Sequence, residues 1–251
     1  MRLTAVLSAA TLILLLGGRA AAEEPPARNQ DILGETYVGV RSGYSLPLGN
    51  LWVLTEDVKV PLSDIVSGAV PLWVDAQYMP LPELELGLSM IMGIAFANEI
   101  PPQDEDTPVT DVRGCPTGTR CRTGVVRPGG HVIYHPWPEA GVDPWVGAGV
   151  GYGWFLFNRK EGDTRQKMYW HGPELIAGQL GVDFRVSNAT WIGLFGAFQV
   201  FRAVDCGLRT NARPQSCSIV DRAQHEWLTA GLRVRTHFWT IRRAQTVTER
   251  M

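Results

Sequence analysis

Leu228-Thr229-Ala230-Gly231-Leu232-Arg233-Val234-Arg235-Thr236-His237-Phe238 alternates apolar and polar residues for eleven positions and stops at an aromatic. Successive residues of a strand point to opposite faces. Leu228, Ala230, Leu232, Val234, Thr236 and Phe238 therefore share one face, and Thr229, Gly231, Arg233, Arg235 and His237 share the other. One face is oily and the other carries two arginines, as in a strand with lipid outside and a polar lumen inside.

The beginning of the chain fits the same reading. Met1-Arg2 is a short basic start, Ala5 to Gly17 is an apolar run rich in Leu, and Ala20-Ala21-Ala22 offers small residues for cleavage. This is the layout of a secretory signal peptide. It is too short for a comfortable spanning helix, although an uncleaved anchor is the alternative. Residues 1–22 are read as the signal, 23–31 (Glu/Pro/Arg-rich) as a flexible periplasmic leader, 32–239 as the barrel and 240–251 as a C-terminal periplasmic tail. No later stretch is long and apolar enough for a spanning helix, but transmembrane strands escape hydropathy scans because only every second residue meets lipid.

Charge excludes little beyond nucleic-acid binding. Losing Arg2 and Arg19 with the signal takes the 23 basic residues to 21 against 25 acidic, about −4, with no basic patch of the kind nucleic acid requires. The four cysteines fall into two local pairs in polar stretches. In an oxidising compartment an even count favours disulfides, and Cys115–Cys121 and Cys206–Cys217 are the preferred pairs, each closing a loop tip. Pairings that tie the two loops together remain open. No metal site is expected, because zinc wants tighter spacing with nearby His, and no cofactor motif is present.

Eight strand-like segments recur between turn signals. The first, about Thr36 to Leu46, puts Arg41 on its polar face, and a long connection follows with a helical turn expected near Pro61 to Val66. The second (about Ala69 to Met79) carries Asp75 among its polar positions, and the third (about Glu83 to Ala97) carries Glu85. The fourth, about Arg122 to Tyr134, is interrupted by Pro128-Gly129-Gly130, which predicts a bulge or break. The fifth (about Asp143 to Phe157) lines Gly147, Gly149, Gly151 and Gly153 on one face, as the inner wall of a narrow barrel requires; packing against another sheet is the soluble alternative. Asn158 to Trp170 reads as a charged loop. The sixth strand, about Gly172 to Val186, places Glu174 with Ile176 and Leu180 on one face and Asp183 with Arg185 on the other. The seventh, about Thr190 to Ala203, is oily on both faces, and a loop from Val204 to Arg222 leads to the last strand. Odd strands lead into long loops and even strands into short turns, the asymmetry of an outer-membrane barrel with both termini in the periplasm. The fold class is therefore an all-β, eight-stranded antiparallel up-and-down transmembrane β-barrel.

Tyr37-Val38-Gly39-Val40-Arg41-Ser42-Gly43-Tyr44 and Gly231-Leu232-Arg233-Val234-Arg235-Thr236-His237-Phe238 carry a resemblance over about residues 32 to 239. The chain resembles the small outer-membrane β-barrel proteins of Gram-negative bacteria, the OmpA-transmembrane-domain and OmpX-like group. The resemblance implies that the barrel-assembly machinery reads the final strand through Leu232, Val234 and Phe238. It differs in continuing past the terminal aromatic, through Trp239 to Met251.

An eight-stranded barrel leaves a lumen that side chains fill, and ions held away from water must be paired. Arg41, Asp75, Glu85, Asp183, Arg185, Arg233 and Arg235 are thus expected to form an internal charge network that plugs the lumen, a narrow ion path being the alternative. Tyr44, Tyr78, Trp137, Trp154, Trp191, Phe238 and Trp239 are candidates for interfacial girdles, with Trp73 and Trp145 inside. Ser187-Asn188-Ala189 matches part of the His-x-Ser-Asn-Ala context of outer-membrane lipid A deacylases, but Arg185 stands where that context has its histidine, so no base activates the serine and no catalytic residue is assigned. The expected function is a non-enzymatic outer-membrane protein, a monomer amid outer-membrane lipid and lipopolysaccharide, with a structural, adhesion or surface-partner role through disulfide-closed loops. A small porin-like channel for ions or apolar solutes is the alternative, a lipid A-modifying enzyme a lesser one, and a soluble secreted barrel holding an apolar ligand the reading outside the membrane.

Overall fold

The computed structural model describes residues 32–55, 58–100, 115–116, 119–138, 140–211, 213–215 and 224–242. The expected signal and leader, most of the tail, the acidic stretch Gln103-Asp104-Glu105-Asp106 and Cys217 lie outside them.

Eight long strands form the barrel: β1 (Ile32–Thr55), β2 (Val66–Leu81), β3 (Leu84–Ala97), β4 (Arg120–Tyr134), β5 (Val142–Glu161), β6 (Thr164–Arg185), β7 (Thr190–Arg202) and β8 (Gln224–Arg242). Each pairs antiparallel with its sequence neighbours, and β8 closes the ring on β1 from Ile32↔Arg242 to Gly49↔His225. Closure leaves no sheet edge inside the ring, so every strand spends its backbone hydrogen bonds internally. At the seam Gly43 pairs with Gly231, and a Cβ on either would lie 2.1 Å from a carbonyl oxygen of the other strand. Only glycine permits that approach.

The opening alternation sorts as its polarity dictates. On β8, Leu232 and Phe238 are 58% and 71% exposed on the outer wall, whereas Arg233 and Arg235 are buried inside at 0% and 2%. The same outer row runs around the ring through Val40, Leu72, Leu88, Val146, Leu180 and Leu194. Soluble monomers rarely expose contiguous apolar patches beyond a few hundred Å²; a continuous belt on a closed barrel with an ionic interior is a lipid-facing surface. Among the described residues no helix is long and apolar enough to cross a membrane; the strands make the crossing.

The short connections, around residues 82–83, 135–141 and 186–189, gather at one end, here the turn end; the opposite end is the loop end. Four details differ from expectation. The charged stretch after Phe157 is not a loop: β5 and β6 stay paired out to Glu161↔Thr164 and turn through Gly162-Asp163, with Gly162 at φ +52°. The next connection also carries strand, Asp205–Thr210 on β6 and Arg213–Gln215 beside it. Polar side chains outside the lipid layer suit paired strands as well as loops, so polarity alone did not reveal these extensions. Pro128 does not break β4, whose pairing to β5 resumes in the same register at Gly129↔Gly151. The bulge lies instead in β6: both neighbours slip one residue opposite Leu175, between Gly149 and Gly151 on β5 and between Val200 and Phe201 on β7. A second slip, between Thr36 and Tyr37 opposite β8, lets Phe238 and Trp239 both face outward.

Beyond the loop end, β1 continues as a hairpin with Val58–Pro61, and the expected helical turn forms at Leu62–Ile65. Cys115 and Cys121 are joined by a disulfide.

Candidate functional site: the lumen and its two halves

Inward positions of all eight strands converge on the lumen. Nearest the turn end, Glu85 on β3 is wholly buried and accepts from Arg233 Nη2 at 3.0 and 2.8 Å. His131 Nε2 and His135 Nε2 each lie 3.2 Å from the same carboxylate. Arg235 Nη2 donates to Asp143 Oδ2 at 2.6 Å, and its Nε lies 3.2 Å from Asp183 Oδ2. Arg233 Nη1 approaches Asp183 at 3.6 Å, and the Trp145 indole N–H donates to that carboxylate at 3.1 Å. One layer further, Arg41 grips Asp75 bidentately at 2.8 and 2.7 Å and donates to Gln179 at 2.5 Å. Its guanidinium stacks 4.3 Å from the Trp73 ring centroid.

Six of the seven residues singled out for the lumen, Arg41, Asp75, Glu85, Asp183, Arg233 and Arg235, are thus brought together. Arg185 is not in the buried group. It is exposed at the turn-end mouth, 4.5 Å from the Trp191 centroid. The strand ends there and its last inward position is already at the rim, which alternation alone does not register. Trp191, expected in a girdle, is buried inside beneath Arg185 and Arg235. Tyr44, Trp137, Trp154, Phe238 and Trp239 do stand exposed, with Trp73 and Trp145 buried.

Asp143, His131 and His135 complete the network, and sequence reasoning missed them. With them the network holds four carboxylates (Asp75, Glu85, Asp143, Asp183) against three guanidiniums (Arg41, Arg233, Arg235), so one imidazolium balances it. His135 sits in the turn after β4, outside the strands, with Nδ1 2.8 Å from Asp143 and Nε2 3.2 Å from Glu85. Burial pushes its basicity down, but the Asp143 and Glu85 contacts outweigh burial and hold it above the ordinary histidine value. Both ring nitrogens face carboxylate oxygens, and only the protonated ring donates from both.

The half of the lumen toward the loop end is built differently. Arg127 on β4 faces Glu174 on β6 with Nε 3.8 Å from Oε2, beyond hydrogen-bond reach. Its guanidinium lies 4.7 Å from the Phe201 centroid. Glu174 points inward because Leu175 is bulged: Leu175 and Ile176 both face out, and Glu174 and Ala177 both face in. Strict alternation had put Glu174 on the lipid face. The available signal was an acid in an otherwise oily row, followed by two consecutive apolar residues. The glycine row of β5 gives the room: a Cβ on Gly151 would lie 2.6 Å from Glu174 Oε2. Two small cavities of about 30 Å³ each flank Arg127, walled by Trp73, Phe155, Phe201 and Trp227 among others. Above them Leu62, Ile65, Phe157, Met168 and Trp170 close the loop end with buried apolar side chains.

The final-strand residues Leu232, Val234 and Phe238 all point outward. Cys206 is disulfide-bonded, and the proposed partner Cys217 lies outside the described residues. Ser187 is exposed in a turn, its Oγ accepting from the Ala189 N–H at 3.2 Å. Among the described residues no group of three or more His, Cys, Asp or Glu is placed to hold a metal ion.

No family model matches the chain, and no curated protein sequence matches it. Solved structures of small outer-membrane barrels are similar to it. Neisserial surface protein A is 12% identical with a TM-score of 0.47, over 81% of this chain and 97% of that one. Outer membrane protein AlkL is 16% identical at 0.47, over 86% and 96%. OprG of Pseudomonas aeruginosa is 12% identical at 0.43, over 83% and 99%. The chain's own strand pairing closes the eight-stranded ring independently of these likenesses.

Proposed function

We propose that the chain is an integral outer-membrane protein whose barrel is an anchor rather than a conduit, and that it acts through the β-structure its strands carry beyond the loop end. The observation that carries this reading is the double closure of the lumen. Guanidinium–carboxylate contacts from Arg233, Arg235 and Arg41 cross it in one half, and buried apolar side chains from Leu62 to Trp170 fill the mouth of the other. Ions do not cross a dry apolar layer cheaply. The role is non-enzymatic: Ser187 serves a turn, its hydroxyl engaged by the backbone. Leu232, Val234 and Phe238 fit recognition by the barrel-assembly machinery, lipopolysaccharide surrounds the outer belt, and the disulfide-closed loop contacts a surface partner. The protein works as a monomer.

The test is conductance. Purified, refolded protein in planar bilayers is expected to give no stepwise current, while a heat-dependent gel shift reports that it has folded. Reproducible unitary steps from the folded protein would replace the anchor reading with the channel one.

A further inference from the structure

Beyond the loop end the sheet carries an unusual arrangement of charge. Arg120 is directly opposite Lys160, which is opposite Arg165; Arg122 is opposite Asn158, which is opposite Lys167, which is opposite Arg209. Directly paired residues share a face with Cβ atoms about 4.5–5.5 Å apart, and residues two apart along a strand share it too. Arg120, Arg122, Lys160, Arg165, Lys167 and Arg209 therefore lie on one face of a four-stranded extension, and all six are exposed. Like charges opposite one another are unfavourable unless an anion offsets them. Among the described residues none of the six is ion-paired. Asp205, on the same face at its lower margin, is engaged by His171 Nε2 at 3.4 Å. Asp163 sits at the exposed hairpin tip.

The direction of this face decides the partner. Followed down the same strands it becomes Trp154, Leu156 and Tyr169, exposed on the outer wall. The cations thus look sideways, into the plane of the membrane, one step above the aromatic and aliphatic side chains that meet acyl tails. A soluble polyanion would be met by charges aimed at solution; a lipid head group lies where these point.

We propose that this face is a binding site for the phosphate-bearing head group of outer-leaflet lipid, held by Arg120, Arg122, Lys160, Arg165, Lys167 and Arg209, with the acyl chains running down Trp154, Leu156 and Tyr169. Arginine forks match phosphate oxygens bidentately, and lysines add point charge. The inference rests on the outer-membrane reading above and adds the lipid it selects.

The full chain is refolded into phosphatidylcholine vesicles with or without diphosphoryl lipid A, then extracted and its retained lipid counted by native mass spectrometry. The wild type is expected to keep diphosphoryl lipid A in preference to a dephosphorylated form. The combined Arg122→Gln, Lys160→Gln, Lys167→Gln and Arg209→Gln variant should lose retention at least about tenfold. Arg213→Gln, an exposed cation of the opposite face, should not. Equal retention by the quadruple variant overturns the proposal. So does tighter binding of a soluble sulfated polysaccharide that lipid A fails to displace, which makes the face a polyanion site. A gel shift on heating separates the failures. Protein that folds into phosphatidylcholine but ignores lipid A refutes this inference alone; protein that enters no vesicle refutes the barrel reading.

Discussion

The two halves of the lumen hold buried ions by different means. Toward the turn end, Glu85 alone is approached by Arg233, Arg235, His131 and His135, and each arginine reaches more than one acid. Toward the loop end, Arg127 and Glu174 meet only at 3.8 Å among aromatic rings, with the buried Gln199 side chain on Glu174. The first is a network of interleaved opposite charges stacked on Trp145, in which Glu85 and Asp143 are hydrogen-bonded while Asp183 Oδ2, Arg233 Nη1 and Arg235 Nε meet at ion-pair distance without a hydrogen bond. The second is a loose pair between two small cavities. A buried pair offsets its desolvation only with good geometry and further hydrogen bonds, so the turn-end charges are the better compensated of the two.

The comparison can be broken at its strongest point. Glu85→Ala leaves Arg233 and two imidazoles facing one another across the lumen. It is expected to destabilise the refolded barrel by about 3–5 kcal/mol, read from urea unfolding in phospholipid vesicles. An effect under about 1 kcal/mol would mean that the network is not a structural plug. Leu62→Ala, in the apolar closure of the loop end, should cost roughly 2–4 kcal/mol in the same assay, within the usual span for a buried leucine. A negligible cost would mean that the helical turn does not seal the mouth.

The loop-end pair gives the contrast. Arg127→Met combined with Glu174→Met is expected to change stability by no more than about 1.5 kcal/mol, because a poorly bonded buried pair is replaced by flexible apolar side chains. A loss as large as that of Glu85→Ala would erase the distinction between the halves. The smallest effect is a pH dependence. His135 is more basic folded than unfolded, so its contribution to stability is complete below its ordinary value near 6.5 and is lost as pH rises through the higher folded value. The midpoint of urea unfolding should therefore fall as pH is raised from about 6 to 8, and His135→Gln should flatten that slope. Glu85, Asp143, His131 and Arg235 all face this ring, so a slope that survives His135→Gln would mean that this imidazole does not carry the pH dependence.

Much of this was legible in the residues themselves. Leu228 to Phe238 declares its two faces because a strand has period two and lipid and lumen select opposite polarity. The same logic assigns Arg41, Asp75, Glu85, Asp183, Arg233 and Arg235 to the interior. It works less well at strand ends, where Arg185 has the right parity but sits at the rim, and in β7, where Trp191, Phe195 and Phe201 point in while Ile192, Leu194 and Phe198 point out. Apolar residues on both faces carry no contrast to read.

What the sequence by itself determined was the architecture and the sign of each wall: eight alternating strands, an oily outside and an ionic inside. The tertiary structure decided which ions meet. Glu174 turns inward through a one-residue slip at Leu175, Asp143 and His135 arrive from beside a turn, and Lys160 and Arg209 line up only because extra strand pairs on β6. Alternation is local, set by the backbone of one strand, whereas partnership depends on register between strands and on curvature around the ring, which no single segment encodes.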